Sequence, residues 1–262
     1  MSEREASIPA AILAGGAGDD EVAAAAGATC KALVDVGGRP LIDRVARALQ
    51  GARLVGEIVA VEGPGGELSA GWADPMVPVV RASGRGFLDT VMAAAEALPD
   101  AERILLATVD IPMVTPEALD AFAASCLAGQ AELSYCIVSA DEMERDFPGR
   151  GKTVVRLREG RFTGGSVVCV SRRFVVEQGE AIARTFDRRK SKLALAGMFG
   201  WGFVVRLALG TLSVADLERR GSQMLGCSLR AVPMSHSGLA FDVDDAGDLE
   251  LARKFIRDRE GH

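Results

Sequence analysis

Three features could do chemistry by residue type and spacing. The first is a glycine-rich turn, Leu13-Ala14-Gly15-Gly16-Ala17-Gly18, followed by the lone Lys31. The second is a carboxylate before a proline turn, Asp110-Ile111-Pro112. The third is the acidic run Phe241-Asp242-Val243-Asp244-Asp245. Glycines let backbone N–H groups approach oxygens closely and a lysine adds countercharge, so the first feature is a place to hold phosphates. It fits neither common phosphate motif. Gly16-Ala17-Gly18-Asp19-Asp20-Glu21 lacks the third glycine of a dinucleotide fingerprint, and Lys31 stands thirteen residues beyond Gly18 rather than directly after a glycine. A purely structural turn would account for the glycines taken alone.

Asp110 adds a second observation. A carboxylate at the carboxyl end of a buried strand faces the crevice where open α/β sheets bind ligands. Oxygen ligands there suit Mg²⁺, which takes one or two carboxylates plus substrate phosphates. Capping the turn before Pro112 is the plainer role for the same residue. Strand alternation over Leu239–Val243 would point Asp242 and Asp244 to one face, where two acids repel unless a cation or water lies between them. Ordinary solvation of one of them serves as well.

The elements that must position these groups read as alternating strand and helix. Apolar runs at Ile8–Leu13, Leu54–Val61, Met76–Val80, Arg103–Val109 and Leu133–Val138 are strands. Between them come helical stretches, a short one through Ala23–Ala26 capped by Asp19-Asp20-Glu21, then from Leu41, over Phe87–Leu98 and from Pro116, the last with Thr115 as its cap. Alternation of this kind predicts a mostly parallel sheet between helices. After Ala140 the pattern changes to short strands at Thr153–Leu157 and Ser166–Val170, a helical insertion over 172–220, strands at Leu229–Pro233 and Leu239–Val243, and a last amphipathic helix over Asp245–Arg257.

Composition bounds the partners. The 262 residues carry a net charge of −6, which argues against a dedicated nucleic-acid binder. Five scattered cysteines without a C-x-x-C read as reduced thiols, and the charged stretch Met1–Pro9 shows no signal peptide, so a cytoplasmic location is expected. With two histidines, His236 and His262, a His-based triad or metal site has little to stand on. The run Leu193–Leu212 holds one charge, Arg206, and has the length of a membrane span. Its glycines, with the break Gly200-Trp201-Gly202, favour two short packed helices that form a homodimer contact or a lid over a bulky substrate.

Taken together, L-A-G-G-x-G, Lys31, Gly38-Arg39-Pro40-Leu41, Asp110-Ile111-Pro112 and the terminal Asp-Val-Asp…Asp-Leu resemble the MobA-like nucleotidyltransferases. That superfamily includes the molybdenum cofactor guanylyl- and cytidylyltransferases, the methylerythritol cytidylyltransferases and the sugar-1-phosphate nucleotidyltransferases. The resemblance runs from Ile8 to Ile256. It implies one α/β domain of the glycosyltransferase-A-like, nucleotide-diphospho-sugar transferase kind, 1–262, with a doubly wound, mostly parallel mixed sheet. Residues 8–140 form the NTP-binding half and 141–256 the acceptor-binding half. It implies Mg²⁺ as cofactor and, as partners, an NTP (GTP or CTP) and a phosphorylated small-molecule acceptor, with neither nucleic acid nor membrane.

By position, the resemblance gives Leu13, Ala14, Gly15, Gly16 and Gly18 to the triphosphate, with Lys31 neutralising it. Ser83 and Gly86 fall near the segment that reads the base. Asp110 matches the metal ligand, with Asp244 as second ligand and Asp242 as its alternate. Thr163, Gly164 and Gly165 fall in the acceptor region. Molybdopterin is the first expectation for the acceptor, with a sugar phosphate or methylerythritol phosphate as the alternative. One departure stands out: where the family has an arginine soon after the glycines, this chain has Asp19, Asp20 and Glu21. The basic cluster Arg184, Arg188, Arg189, Lys190 and Lys192 would compensate by reaching an acidic acceptor, although a solvated helix face explains it as well. The competing readings are a non-catalytic nucleotide sensor on the same fold and a dinucleotide-dependent oxidoreductase.

Overall fold

Every residue of β1 (Ile8–Leu13) is apolar, and the pleat sends alternate side chains into two different cores. Ile8, Ala10 and Ile12 enter one buried cluster, while Ala11 enters the other with Leu13 packed beside it. The same division runs through β2 (Val55–Glu62), with Ile58 and Ala60 on one side and Val59 and Val61 on the other. It recurs in β4 (Arg103–Thr108), where Leu105 and Ala107 oppose Ile104 and Leu106. Strands buried on both faces belong in a sheet covered by helices on both sides. The computed structural model, which describes residues 6–16, 20–84, 86–179 and 201–260, has that architecture.

The remaining strands are β3 (Val79–Arg81), β5 (Leu133–Ser139), β6 (Val155–Leu157), β7 (Gly160–Ser171) and β8 (Leu229–Met234). They join one sheet in the order β3-β2-β1-β4-β7-β5-β8, with β6 paired to β7. β7 runs antiparallel to β4, β5 and β6, and the other pairings are parallel. Helices α1 (Glu21–Ala26), α2 (Leu41–Gly51), α5 (Pro116–Ala128) and the C-terminal helix Ala246–Glu260 supply the larger core. The smaller core takes α4 (Phe87–Ala97) and the helical stretch 172–179. Two short helices, α3 (Glu67–Gly71) and α6 (Ala140–Asp146), follow β2 and β5.

The sheet is therefore α/β, doubly wound and mostly parallel, as the alternation predicts. Three differences are larger than a residue or two at a strand end. The third strand begins at Val79 rather than Met76, because Asp74 and Val77 form a tight bridge and Met76 lies on its exposed tip. The strand expected at Ser166 starts six residues earlier, at Gly160, so Thr163, Gly164 and Gly165 lie inside β7 rather than in a loop. The strand expected at Leu239–Val243 does not form: Ser237–Ala240 is a 3-10 turn followed by irregular chain. Phe241 and Val243 owe their apolar character to burial in the core, not to sheet pairing.

In the expected helical insertion, 172–179, Trp201–Ala208 and Val214–Leu225 are helical. The cluster Arg184 to Lys192 and the first part of the Leu193–Leu212 run lie outside the described residues. Among the described residues no helix is long and apolar enough to cross a membrane.

Candidate active site

The parallel strands β1 and β4 end side by side, with Leu13 paired to Thr108 and Val109 N–H donating to the Leu13 carbonyl. Asp110 follows directly. The Thr108 hydroxyl donates to Asp110 Oδ1 at 2.6 Å, which fixes the carboxylate and leaves Oδ2 to Lys31 Nζ at 2.7 Å. Lys31 arrives on a 3-10 turn, Lys31–Leu33, anchored where Leu41 N–H donates to the Val34 carbonyl. Both side chains are mostly buried, so the pair is screened less than a surface ion pair.

The third member comes from the far end of the chain. Val243 N–H donates to the Asp110 carbonyl at 2.9 Å and stitches the irregular segment before the C-terminal helix onto the Asp110 turn. Asp244 N–H donates to Asp248 Oδ2, and Asp245 caps the helix through Asp248 N–H. This leaves the Asp244 carboxylate 3.7 Å from Lys31 Nζ and largely open to solvent. The structure thus brings together Lys31, Asp110 and Asp244.

Their electrostatics are linked. Burial alone would push the Lys31 ammonium down, but Asp110, Asp244 and Asp20 outweigh it and hold the ammonium above its ordinary range. Burial and the nearby Asp242 and Asp110 charges push the Asp244 carboxyl up against the pull of Lys31 and Arg150. One lysine facing two carboxylates leaves an excess of negative charge, which a cation would relieve. Among the described residues no group of three or more His, Cys, Asp or Glu surrounds a single point. Two carboxylates with the rest of the shell from phosphates and water is the donor set that Mg²⁺ accepts.

Asp242 plays a different part from Asp244. Its carboxylate accepts Arg150 at 2.8 Å and Lys152 at 3.0 Å, so it is already neutralised. Arg150 also reaches the Asp242 carbonyl and Asp248 and lies over the Phe241 ring, which makes it the buried clamp of the segment. Arg150 and Lys152 escape the motif-based reading. Their signal is Gly149-Arg150-Gly151-Lys152, basic residues separated by glycines just before a hairpin.

The glycine turn separates by role. A Cβ on Gly15 would stand 2.3 Å from Thr90 Cγ2 and 3.2 Å from the Gly63 nitrogen, so Gly15 is required by packing. A Cβ on Gly16 would meet nothing within 4 Å. Ala14 continues the strand by donating to Val61, and Gly18 lies outside the described residues. The contact of Thr90 with Gly15 sets the first turn of α4 against the glycines, and Gly86, the cap of that helix, donates to Asp89. Ser83 and Gly86 are exposed on this approach. In the acidic segment, Asp20 is used as the α1 cap, accepting from Val22 and Ala23 N–H groups.

A cleft of about 670 Å³ opens from this point. Asp110, Asp242 and Asp244 line it, with Lys152, Thr163 to Ser166, Leu13, Phe87 and Tyr135. Gly164 and Gly165 have packing duties as well. Added Cβ atoms would stand 2.3 Å from the Tyr135 hydroxyl and 2.6 Å from Cys136 Sγ.

The family described as MobA-like NTP transferase domain matches residues 10–193. A hypothetical transferase from Thermus thermophilus superposes with a TM-score of 0.79 at 34% identity, covering 92% of this chain and 99% of the other. A 4-diphosphocytidyl-2C-methyl-D-erythritol synthase from Anaerococcus prevotii gives 0.59 at 11% identity over 97% and 100% of the two chains. A nucleotidyl transferase from Methanothermobacter gives 0.58 at 18%, over 96% and 99%. The last two likenesses show the fold. Among curated proteins none matches the chain.

Proposed function

The chain belongs to the MobA-like NTP transferase family, and from that premise we propose that it transfers the nucleoside monophosphate of an NTP to a phosphorylated small-molecule acceptor, releasing pyrophosphate. The observation that carries the proposal is the Lys31–Asp110–Asp244 constellation, whose two carboxylates line a cleft bounded by Leu13 and β7. Backbone groups at Leu13 to Gly18 take the triphosphate, Ser83 and Gly86 lie toward the base, and Thr163 to Gly165 border the acceptor. Asp110 and Asp244 hold Mg²⁺, which when bound supplies charge neutralisation at the phosphates.

An acceptor phosphate oxygen attacks the α-phosphorus in line. The bond from that phosphorus to the bridging oxygen breaks, and pyrophosphate leaves with the electron pair. No general base is needed, because a phosphate nucleophile is already ionised at neutral pH. Lys31 neutralises developing charge on the phosphates, and Thr108 holds Asp110 in a single orientation. Catalysis is then positioning and electrostatics.

GTP or CTP is the donor in this reading and molybdopterin the first acceptor to try. Phe87 and Tyr135 on the cleft wall suit a planar ring, and sugar or methylerythritol phosphates are the next panel. The non-catalytic alternative rests on the missing family arginine after the glycines, where Asp20 serves as the α1 cap; it predicts saturable NTP binding without pyrophosphate release.

The test is a pyrophosphate-release screen of four NTPs against phosphorylated acceptors with Mg²⁺. Asp110→Ala should abolish release, and Lys31→Ala should lower it by ~10²-fold or more, the scale of losing one charge-stabilising donor. Release at the wild-type rate from both variants would rule the assignment out.

A further inference from the structure

Glu62, the last residue of β2, is a carboxylate only 3% exposed that the site described above does not use. Its Oε1 accepts from Arg81 Nε at 3.0 Å, Arg81 Nη2 at 2.9 Å and the Ser69 hydroxyl at 3.0 Å. Its Oε2 accepts from the Ser69 backbone N–H at 2.9 Å. Burial would push this carboxyl up, but the Ser69 and Arg81 donors outweigh it and hold the group below the usual carboxylate range, so it is ionised.

Ser69 is the third residue of α3, and the cap position of that helix is Gly66, which has no side chain to offer. A helix start without a capping side chain leaves its first amides unpaired, and five residues are too few to hold a helix by themselves. Glu62 therefore caps α3 from the end of the neighbouring strand, with the charge that a helix N-terminus favours.

The capped helix touches the site. A Cβ on Gly71, its last residue, would stand 2.5 Å from Leu33 Cδ1, so the end of α3 lies flat against the 3-10 turn that carries Lys31. Leu68 of α3 is buried in the core on which Leu33 packs. On the other side, a Cβ on Gly15 would stand 3.3 Å from the Glu62 carbonyl carbon. One carboxylate thus stands between the lysine and the glycine turn.

We propose that Glu62 is a positioning residue: by capping α3 it fixes the Lys31 turn relative to the glycine turn, so that Lys31 is already placed for a triphosphate. The part given to Lys31 rests on the nucleotidyl-transfer reading; the tie from Glu62 to the turn does not.

Amide hydrogen exchange on the full chain reads the tie, because Leu33 N–H donates to the Cys30 carbonyl and Val34 N–H to the Lys31 carbonyl. Glu62→Gln keeps the side-chain shape and gives up an acceptor. It should speed exchange at Leu33 and Val34 by ~10-fold or more, the scale of one hydrogen bond to a charged group, and leave the β4 amides unmoved. Arg81→Met changes a largely exposed side chain and carries the test should Glu62→Gln not fold; it should speed the same two amides by ~3-fold or more. Unchanged exchange there in both variants, or a rise shared by β4, overturns the proposal. The second arm is affinity for a Mg²⁺-bound α,β-methylene NTP analogue, measured well below the unfolding midpoint. Glu62→Gln should weaken it by ~10-fold when Lys31 is present and by less than about twofold in a Lys31→Met background, where nothing remains to be positioned. Equal weakening in both backgrounds overturns the action through Lys31. Selective exchange in a protein that binds no analogue keeps Glu62 as the anchor of the turn and removes the nucleotidyl-transfer reading instead.

Discussion

At the scale of single residues, Gly15 and Gly16 are adjacent and alike in sequence, yet their surroundings give opposite expectations. Gly15→Ala must push Thr90 aside in a buried contact and should cost about 1–3 kcal/mol, as other overpacking substitutions do. Gly16→Ala meets open space and should leave the denaturant midpoint unchanged while weakening NTP binding, since the new methyl stands where a phosphate would approach its amide. Urea unfolding and NTP titration on both variants separate the roles; equal NTP affinity in Gly16→Ala would remove that residue from the triphosphate cradle. Lys31 and Asp110 were legible in the sequence because each follows a signal that depends on local chain, a glycine turn or a strand end. Arg150 and Lys152 were not, because their meaning comes from Asp242, some ninety residues away.

At the scale of elements, the alternation of strand and helix up to Leu133 was readable because both-face burial writes continuous apolar runs. It misled at Leu239–Val243, where an apolar–acid alternation imitates a strand. The segment is held instead by aromatic packing: Phe241 stands 4.6 Å from Phe147 and 6.0 Å from Phe255, ring centre to ring centre. Phe241 is fully buried, so Phe241→Ala should cost about 3–5 kcal/mol. Activity measured well below the unfolding midpoint should fall too, because the Val243–Asp110 hydrogen bond and the Asp242 clamp ride on the same segment. A loss near 1 kcal/mol with full activity would mean that Arg150 alone suffices to dock it. The length of β7 was illegible for a similar reason: Gly164 and Gly165 carry little strand propensity, and they are extended because Tyr135 and Cys136 of the neighbouring strand pack against them.

At the scale of the molecule, the site has no local existence. Lys31, Asp110 and Asp244 come from three distant parts of the chain and meet only when the sheet is complete. Ligands that bind this site therefore bind the folded state alone and should move the whole unfolding transition. A Mg²⁺–NTP analogue complex at a hundred times its Kd adds about 2.7 kcal/mol, which for a chain of this size means a rise of about 5–10 °C in Tm. The pH dependence follows from the two shifted groups. The Asp244 carboxyl is raised, so on acidification the folded state takes up this proton before the unfolded chain does. A bound cation competes with that proton, so the ligand-induced rise should be full near pH 7–8 and shrink as pH falls through the raised carboxyl range. Lys31 is raised as well, so its stabilising charge is complete below the ordinary lysine value and is lost only as pH climbs through its higher folded value. No alkaline decline is then expected below pH ~10 from this pair. Calorimetry with and without the complex, repeated from pH ~3 through the carboxylate range to pH ~9, checks both limbs. A ligand effect independent of pH on the acid side would take Asp244 out of the cation site.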